Sequence, residues 1–486
     1  MDVHISLVGR RDLTGEVYRQ LRAAIMEGRF REGEALPPSR ELAARLSVSR
    51  TTITVAYDRL ISEGFATARM GSGTYVSRGL SGGRDQKQTR GSGLRARRIW
   101  AAIPAPTAWA PAEFDFRPGI PDARLFPYEP WRRLMSREFR PGAGSLAYGD
   151  PAGHAGLREA IVQHIGISRG INADAADVII TNGTQQAIDV IARVLVGPGD
   201  RVAVEDPGYG PPRRLLTSLG LAIAGVPVDD EGLIVDAIPP QTMLVYVSPS
   251  HQFPLGMSMS LRRRMALLAW ANRTGGAIIE DDYDSEFRFG GRPLEPLHKL
   301  DADGRVIYVG SFSKTMLPTL RLGFLVAPPT LHSALVAAKY VADWHSPLAV
   351  QATMARFIAD GLFARHVRRM RTTYEERHAQ IIDILGRTFA DNLTVVPSSV
   401  GLHLAALGRG VSVDQIDAVV RRASSVAVAC LPLSMFAAGK TARAGLVLGY
   451  GAIAGPQIPA GLSRLRRCFE LGGQGSVRRA AAGPPD

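Results

Sequence analysis

The sequence predicts a multidomain chain: a small helical module closed by a β-hairpin, a linker, and a large α/β domain. Three observations carry that reading. Residues 10–77 alternate short stretches of helical apolar spacing with turns and end in the Gly-rich run Met70-Gly71-Ser72-Gly73. Residues 78–112 are rich in Gly, Ser, Pro and Arg, a composition that cannot bury a core, and read as a flexible basic linker. Over residues 113–471, β-rich apolar runs alternate with helical stretches, the pattern of a mostly parallel sheet covered by helices. Residues 472–486, GGQGSVRRAAAGPPD, read as a disordered tail.

With 486 residues the chain exceeds one ordinary core and suffices for two or three domains. Apolar residues make up 45% and charged residues 21%, which excludes general disorder. The sequence has no signal-peptide pattern and no apolar run long enough to span a bilayer, which speaks against secretion and membrane insertion. Two cysteines, Cys430 and Cys468, form no framework of spaced pairs; the expectation is a reducing cytoplasmic setting with both thiols as packing residues. The net charge of +13 is uneven. Residues 1–100 hold 18 Lys/Arg against 10 Asp/Glu, a net of +8, which leaves +5 for the rest. Such a bias points either to nucleic acid at the amino-terminal end or to a solubilising basic arm.

In the first module, Val17, Leu21, Ala24 and Ile25 recur at helical spacing, and Gly28 stops the run. Leu36-Pro37-Pro38-Ser39 resets the chain, with Ser39 as the expected N-cap and Leu42 and Leu46 as the buried face of a second helix. After the turn Ser47-Val48-Ser49, a third helix turns Ile53, Ala56, Leu60 and Ile61 inward and Arg50, Thr51, Thr52, Thr54 and Tyr57 outward. Residues 65–68 and 74–76 then pair as a wing. A helix, a turn and a second helix that starts with polar residues is the geometry of major-groove reading. Small hydroxyls approach phosphates and base edges, and Arg binds guanine in bidentate fashion.

The string Leu36-Pro37-Pro38-Ser39-Arg40-Glu41-Leu42-Ala43, then Val48-Ser49-Arg50-Thr51-Thr52, Gly64-Phe65 and Gly71-Ser72-Gly73-Thr74-Tyr75-Val76, resembles the GntR winged-helix family. The resemblance implies a winged helix-turn-helix that binds double-stranded operator DNA. It places Arg40, Ser49, Arg50, Thr51, Thr52 and Thr54 toward DNA, with Gly73 at the wing tip.

In the large domain, strands are expected at 178–181, 201–204, 244–247, 277–280, 306–309 and 323–326, and helices at 185–195, 261–273 and 331–340. Polar motifs fall at the carboxyl ends of those strands, where ligands gather in open α/β sheets: Thr181-Asn182-Gly183-Thr184, Glu205-Asp206-Pro207, Ser248-Pro249-Ser250, Glu280-Asp281-Asp282-Tyr283 and Ser311-Phe312-Ser313-Lys314. A lysine, a carboxylate and a phosphate-binding cluster are what pyridoxal 5'-phosphate (PLP) requires. Lys314 is the candidate Schiff-base amine. Asp281 suits the pyridine nitrogen, keeping it protonated so that the ring acts as an electron sink. Tyr283, two residues on and on the same face, suits the ring hydroxyl. Gly183-Thr184-Gln185 opens a helix after a strand, and Ser311, Ser313 and Arg321 bracket the lysine; together they form a candidate phosphate cradle. Tyr209, in Asp206-Pro207-Gly208-Tyr209, is the candidate to stack on the ring. No metal is expected.

The motif Ser-x-Ser-Lys followed by Arg321-Leu322-Gly323 resembles the lysine segment of fold-type I aminotransferases. The resemblance implies a large α/β PLP-binding domain with a smaller C-terminal α+β part. It gives Lys314 the Schiff-base role, Asp281 the pyridine nitrogen, Tyr283 the ring hydroxyl, and Gly183–Gln185, Ser311, Ser313 and Arg321 the phosphate. Tyr148, in Tyr148-Gly149-Asp150-Pro151, resembles the tyrosine that reaches the partner subunit's phosphate, which implies a homodimer.

A winged helix joined to such a domain resembles the MocR/GabR subfamily of GntR regulators, which includes PdxR-type activators of PLP synthesis. The runs Glu280-Asp281-Asp282-Tyr283-Asp284-Ser285-Glu286-Phe287 and Pro249-Ser250-His251-Gln252-Phe253-Pro254 carry that likeness. The implied function is a PLP-dependent transcription regulator that senses PLP, or a small amino compound as its aldimine. The alternative is a working aminotransferase that carries a DNA-binding domain. Two departures bear on the choice. Phe253-Pro254-Leu255-Gly256 stands where many aminotransferases read Asn-Pro-x-Gly, so the amide beside the ring hydroxyl is absent. In Leu446-Val447-Leu448-Gly449-Tyr450, Val447 stands where aminotransferases carry the arginine that grips the substrate carboxylate. Arg443 is either a nearby substitute or surface charge. The expectation is sensing without efficient turnover.

Overall fold

The computed structural model describes residues 12–78, 94–104, 110–142, 147–290, 295–439 and 442–480. The chain divides into two compact units, Met1–Ala96 and Arg97–Asp486.

In the first unit, helices Leu13–Met26, Ser39–Leu46 and Arg50–Ser62 precede the antiparallel hairpin of Ala66–Arg69 and Gly73–Val76. Val17, Leu21, Leu42, Ile53 and Leu60 meet in one core. Each such side chain, fully buried, contributes roughly 1.5–3 kcal/mol. Gly71 and Gly73 take positive φ, which lets the wing turn close. Two expectations are corrected. Ser39 is the first helical residue, and Pro38 holds the cap position without a side-chain bond. Pro38 sits at φ −54° and ψ 135°, so its ring sets the entry angle and carries Ser39 into the first turn. Tyr57 points inward, not outward: it is 5% exposed, and its phenol donates to the Pro37 carbonyl at 2.6 Å. A buried carbonyl needs a partner, and the phenol supplies one while its ring fills the core.

The second unit is built on an eight-stranded sheet. Its order is Val178–Thr181, Gly323–Val326, Val306–Ser311, Ala277–Asp282, Thr242–Val247, Arg201–Asp206, Ala222–Asp229 and Gly232–Leu233. The five strands from Val306–Ser311 to Ala222–Asp229 run parallel. Gly323–Val326 is antiparallel to both neighbours, and Gly232–Leu233 to its one. The sheet is therefore parallel in its centre and mixed at its flanks. The strand Ala222–Asp229 was not foreseen, because Gly225 and Pro227 depress strand propensity. Its neighbour Arg201–Asp206 supplies the pairing that overrides them. Helices Thr184–Leu195, Leu261–Thr274 and Pro329–Asp343 form at the three expected places.

A smaller four-stranded antiparallel sheet follows, in the order Leu393–Val395, His403–Gly408, Gly445–Gly449 and Leu431–Pro432. Helices Leu362–Thr388, Val413–Ser425 and Ile458–Ala480 pack with it in a separate core. This is the α+β part. The last helix runs into residues 472–480, which the sequence assigned to a disordered tail. The sequence assignment rested on Gly472, Gly473 and Gly475, each of which disfavours helix by about 1 kcal/mol relative to Ala, but once a helix is nucleated each added residue gains one bond. Residues 481–486 lie outside the described residues.

Part of the expected linker also differs. Arg98–Ala102 winds into a 3₁₀ turn of the second unit and packs against helix Gly210–Ser218. Half-buried Ile103 lines a groove together with Arg213 and Thr217. Residues 79–93 and 105–109 of the linker lie outside the described residues. Cys430 and Cys468 are free thiols packed in the interior. Among the described residues, no helix is long and apolar enough to cross a membrane.

Replacing Tyr57 by Phe strips the Pro37 carbonyl of its donor and is expected to destabilise the first unit by about 1–3 kcal/mol. Hydrogen exchange of the Ser39–Leu46 amides should accelerate accordingly; unchanged protection would contradict the role given to the phenol.

Candidate functional site

The sheet register brings the polar motifs to one edge. Ser311 pairs with Gly323, and Gly323 with Thr181, so the segments after Thr181 and Ser311 and the one before Gly323 converge. Asp281 and Asp282 end the next strand. Alternation along that strand separates them. Asp282 turns to the far face, where Arg169 lies 2.7 Å away and the Tyr308 hydroxyl donates at 2.8 Å. Asp281 turns into a cavity of about 380 Å³, a volume suited to a small molecule.

Asp281 is buried. One of its oxygens, Oδ2, accepts the Tyr246 hydroxyl at 2.5 Å, while Oδ1 has no partner. Burial pushes its pKa up to about 7, against the bond from Tyr246. Lys314 shares the cavity and donates from Nζ to the Gly119 carbonyl at 2.7 Å. Burial lowers its pKa, and the carboxylates of Asp284 and Asp281 partly oppose that. Tyr283 also lines the cavity; its hydroxyl donates to the His251 carbonyl at 2.9 Å. Tyr209 completes this side, its ring edge-on to Phe253 at 5.3 Å.

Thr184, Gln185, Ser311, Ser313 and Arg321 line the rest of the polar wall. Gly183 takes φ +82° at the start of helix Thr184–Leu195, and a Cβ there would come within 3.0 Å of the Arg321 guanidinium. Arg321 donates to the Asn182 carbonyl at 2.7 Å. Asn182 and Gln186 both donate to Asp343, at 2.6 and 2.8 Å, which ties this loop to helix Pro329–Asp343. The Ser311 hydroxyl accepts the Ser313 amide at 3.1 Å. The apolar wall, Pro118-Gly119-Ile120, lies against the second sheet. A Cβ at Gly449 would approach the Arg117 carbonyl oxygen to 2.3 Å, and one at Gly451 the Ile120 oxygen to 2.0 Å.

Tyr148 stands apart from the cavity lining. It is 73% exposed and stacks on Trp344 at 4.3 Å. Val447 is fully buried in the second sheet, and Arg443 is exposed; neither lines the cavity. The sequence reading did not single out Tyr246, Asp284, His251 or His403. Tyr246 carries a weak signal, a hydroxyl in the otherwise apolar run Leu244–Val247. Asp284 and His403 line the same cavity, and His251 Nδ1 lies 2.9 Å from Asp284.

In the first unit, Arg40, Ser49, Arg50, Thr51 and Thr54 are exposed and Thr52 half-buried. Ser49 caps helix Arg50–Ser62 by accepting the Thr52 amide at 3.1 Å, and its hydroxyl meets that of Thr52 at 2.8 Å. The Thr54 hydroxyl donates back to the Arg50 carbonyl at 3.0 Å. Arg50 and Thr51 are thus the open polar side chains at the start of the helix, and Gly73 begins the second wing strand.

Comparison with known proteins accounts for both units. Residues 13–76 match bacterial regulatory proteins of the gntR family, and residues 124–445 match aminotransferase class I and II. The chain is 36% identical over 478 residues to the probable rhizopine catabolism regulatory protein MocR of Rhizobium meliloti, covering 96% of this chain and 97% of that one. It is 34% identical over 481 residues to the HTH-type transcriptional regulator TauR of Rhodobacter capsulatus, covering 95% and 97%. Among solved structures, the kynurenine aminotransferase of Pyrococcus horikoshii, determined with PMP, aligns with a TM-score of 0.68 at 26% identity, over 78% of this chain and 95% of that one. A gntR-type reader, an aminotransferase fold and near full-length likeness to MocR agree: the chain belongs to the MocR-type GntR family of helix-turn-helix transcription regulators with an aminotransferase domain.

Proposed function

We propose that this regulator binds PLP in the cavity at the sheet edge and responds to PLP, or to a small amino compound that takes the place of Lys314 on the cofactor, by changing its hold on operator DNA. The observation that carries the reading is Asp281 Oδ1, a buried oxygen without a partner in the same cavity as a buried lysine. Such an oxygen costs about 1–3 kcal/mol, and a protonated pyridine nitrogen is the donor it lacks. When bound, PLP supplies an aldehyde that condenses with amines and a ring that draws electrons from the bond made.

The chain's own residues divide the remaining work. Burial keeps a larger share of Lys314 uncharged and able to react. Tyr246 fixes the orientation of Asp281. Helix Thr184–Leu195 directs its free N–H groups toward the phosphate, assisted by Ser311, Ser313 and Arg321. Tyr209 and Tyr283 flank the ring and its hydroxyl. Tyr148, exposed beside Trp344, reaches the phosphate of a second subunit, so the active form is a homodimer. Valine at 447 leaves a substrate carboxylate without a guanidinium, which favours sensing over turnover. Arg50 and Thr51 read DNA, and the protein acts in the cytoplasm. The effector biases the dimer only through unequal affinity for its two states.

Operator binding measured by fluorescence anisotropy, without PLP, with PLP, and with PLP plus amines, tests this reading; affinity indifferent to every addition would overturn it. Arg50→Ala should weaken operator binding about 10- to 100-fold at fixed salt while PLP stays bound. Asp281→Ala should do the reverse, weakening PLP or shifting its absorbance without touching basal DNA affinity. The pH profile of Lys314 acylation, followed by peptide mass spectrometry, should lie below that of exposed lysines. Burial pushes the pKa of Asp284 up to about 8, and above that pH it is an anion that favours the ammonium, so Asp284→Asn should move the profile further down; an upward move would refute the assignment.

A further inference from the structure

The cavity holds two polar groups that PLP binding leaves unused. Asp284 and His403 both line it, each 1% exposed. Both present acceptors. The two Asp284 oxygens lie 2.9 and 3.0 Å from a single atom, His251 Nδ1. Whichever partner holds the proton, a carboxyl oxygen keeps a free lone pair. His403 donates a ring N–H to the Pro254 carbonyl, and its Nε2 has no partner. Nε2 is therefore the bare nitrogen of a neutral imidazole, an acceptor only. Burial supports that state, holding the ring's pKa down at about 3.

The ligating atoms of His251, Asp284 and His403 lie within 4.8 Å of one another. His251 nevertheless turns Nδ1 onto the carboxylate rather than toward a shared point, the geometry of a hydrogen-bonded pair and not of a metal centre. A buried acceptor without a donor, as His403 Nε2 is, is unfavourable. Lys314 shares the cavity, but its Nζ donates to the Gly119 carbonyl at 2.7 Å. An effector amine that condenses with the cofactor releases Lys314, whose amine has the Gly119 carbonyl as its acceptor, and Asp284 and His403 are left for the ligand.

We propose that Asp284 and His403 form a second subsite that holds a hydrogen-bond donor, hydroxyl or ammonium, carried by the effector amine. The inference rests on the reading that the cavity admits an amine that takes the place of Lys314 on the cofactor. It makes amino alcohols and diamines the effector class. Amino acids that place a carboxylate there meet two acceptors and are disfavoured.

The test is calorimetric titration of the full-length, PLP-loaded protein. The probes are alkylamines, amino alcohols, diamines and ω-amino acids, each with two, three and four carbons between or beyond the functional groups. At the best-fitting length, the amino alcohol or diamine should bind about tenfold or more tighter than the alkylamine, and the amino acid no tighter. A preference for hydroxyl over ammonium, or the reverse, identifies the donor. His403→Phe should erase the preference while the cofactor absorbance persists, and His403→Gln, which keeps an acceptor, should restore most of it. Equal binding at every length, tighter binding of the amino acid, or a preference unchanged in His403→Phe overturns the subsite alone. No cofactor absorbance, or absorbance of the lysine-bonded cofactor that persists unchanged in Lys314→Ala, overturns the PLP reading and the subsite together.

Discussion

The bond from the Tyr246 hydroxyl to Asp281 is the interaction on which the second unit's chemistry depends. A carboxylate taken out of water must be met by donors or it takes up a proton. Tyr246 meets one oxygen and fixes the group at the end of its strand, and the other oxygen faces the cavity. Burial pushes the pKa of Asp281 up to about 7, against the bond from Tyr246. A cationic donor arriving at Oδ1 would hold the anion, and the anion would hold the donor's proton. Lys314, in the same low-dielectric space, is pushed the other way by burial. Burial thus withholds charge from both groups until a cationic donor meets Asp281.

The first unit has a simpler physical basis. One apolar core seats three helices, and the Tyr57 phenol pins the Pro-Pro turn to the third. Its open polar residues sit where a capped helix starts, so the cap that builds the helix also presents Arg50 and Thr51. The winged helix and the aminotransferase fold each have their own core, as two matched families in one chain require.

Much of this was legible in the sequence because the relevant signals are local. Strand and helix periods located the elements, strand ends located Lys314 and Asp281, and Arg321 was found because it follows the lysine segment. What escaped the sequence depended on tertiary contact. Tyr57 shows an outward helical phase but finds Pro37 O, a partner no spacing reveals. Ala222–Asp229 owes its existence to the neighbouring strand, not to its own Gly225 and Pro227. Tyr246 and His251 lie on and just after one strand and His403 begins a strand of the second sheet, so only the packing of the two sheets brings them together. His403, in the second sheet, has no motif around it; the cavity alone gives it meaning.

The backbone contact of Gly449 and Gly451 with the segment Arg117–Ile120 constrains how this molecule can change by mutation. One wall of the cavity is set by main chain resting on main chain, with no side chain between to trim or enlarge. Drift at those glycines closes the approach instead of tuning it. New ligand preferences must therefore arise elsewhere, at Ile120, Phe253, Asp284 or His403, whose side chains form the adjustable part of the lining. A lineage can exchange one effector for another at those few positions while the frame that holds Lys314 and Asp281 stays as it is.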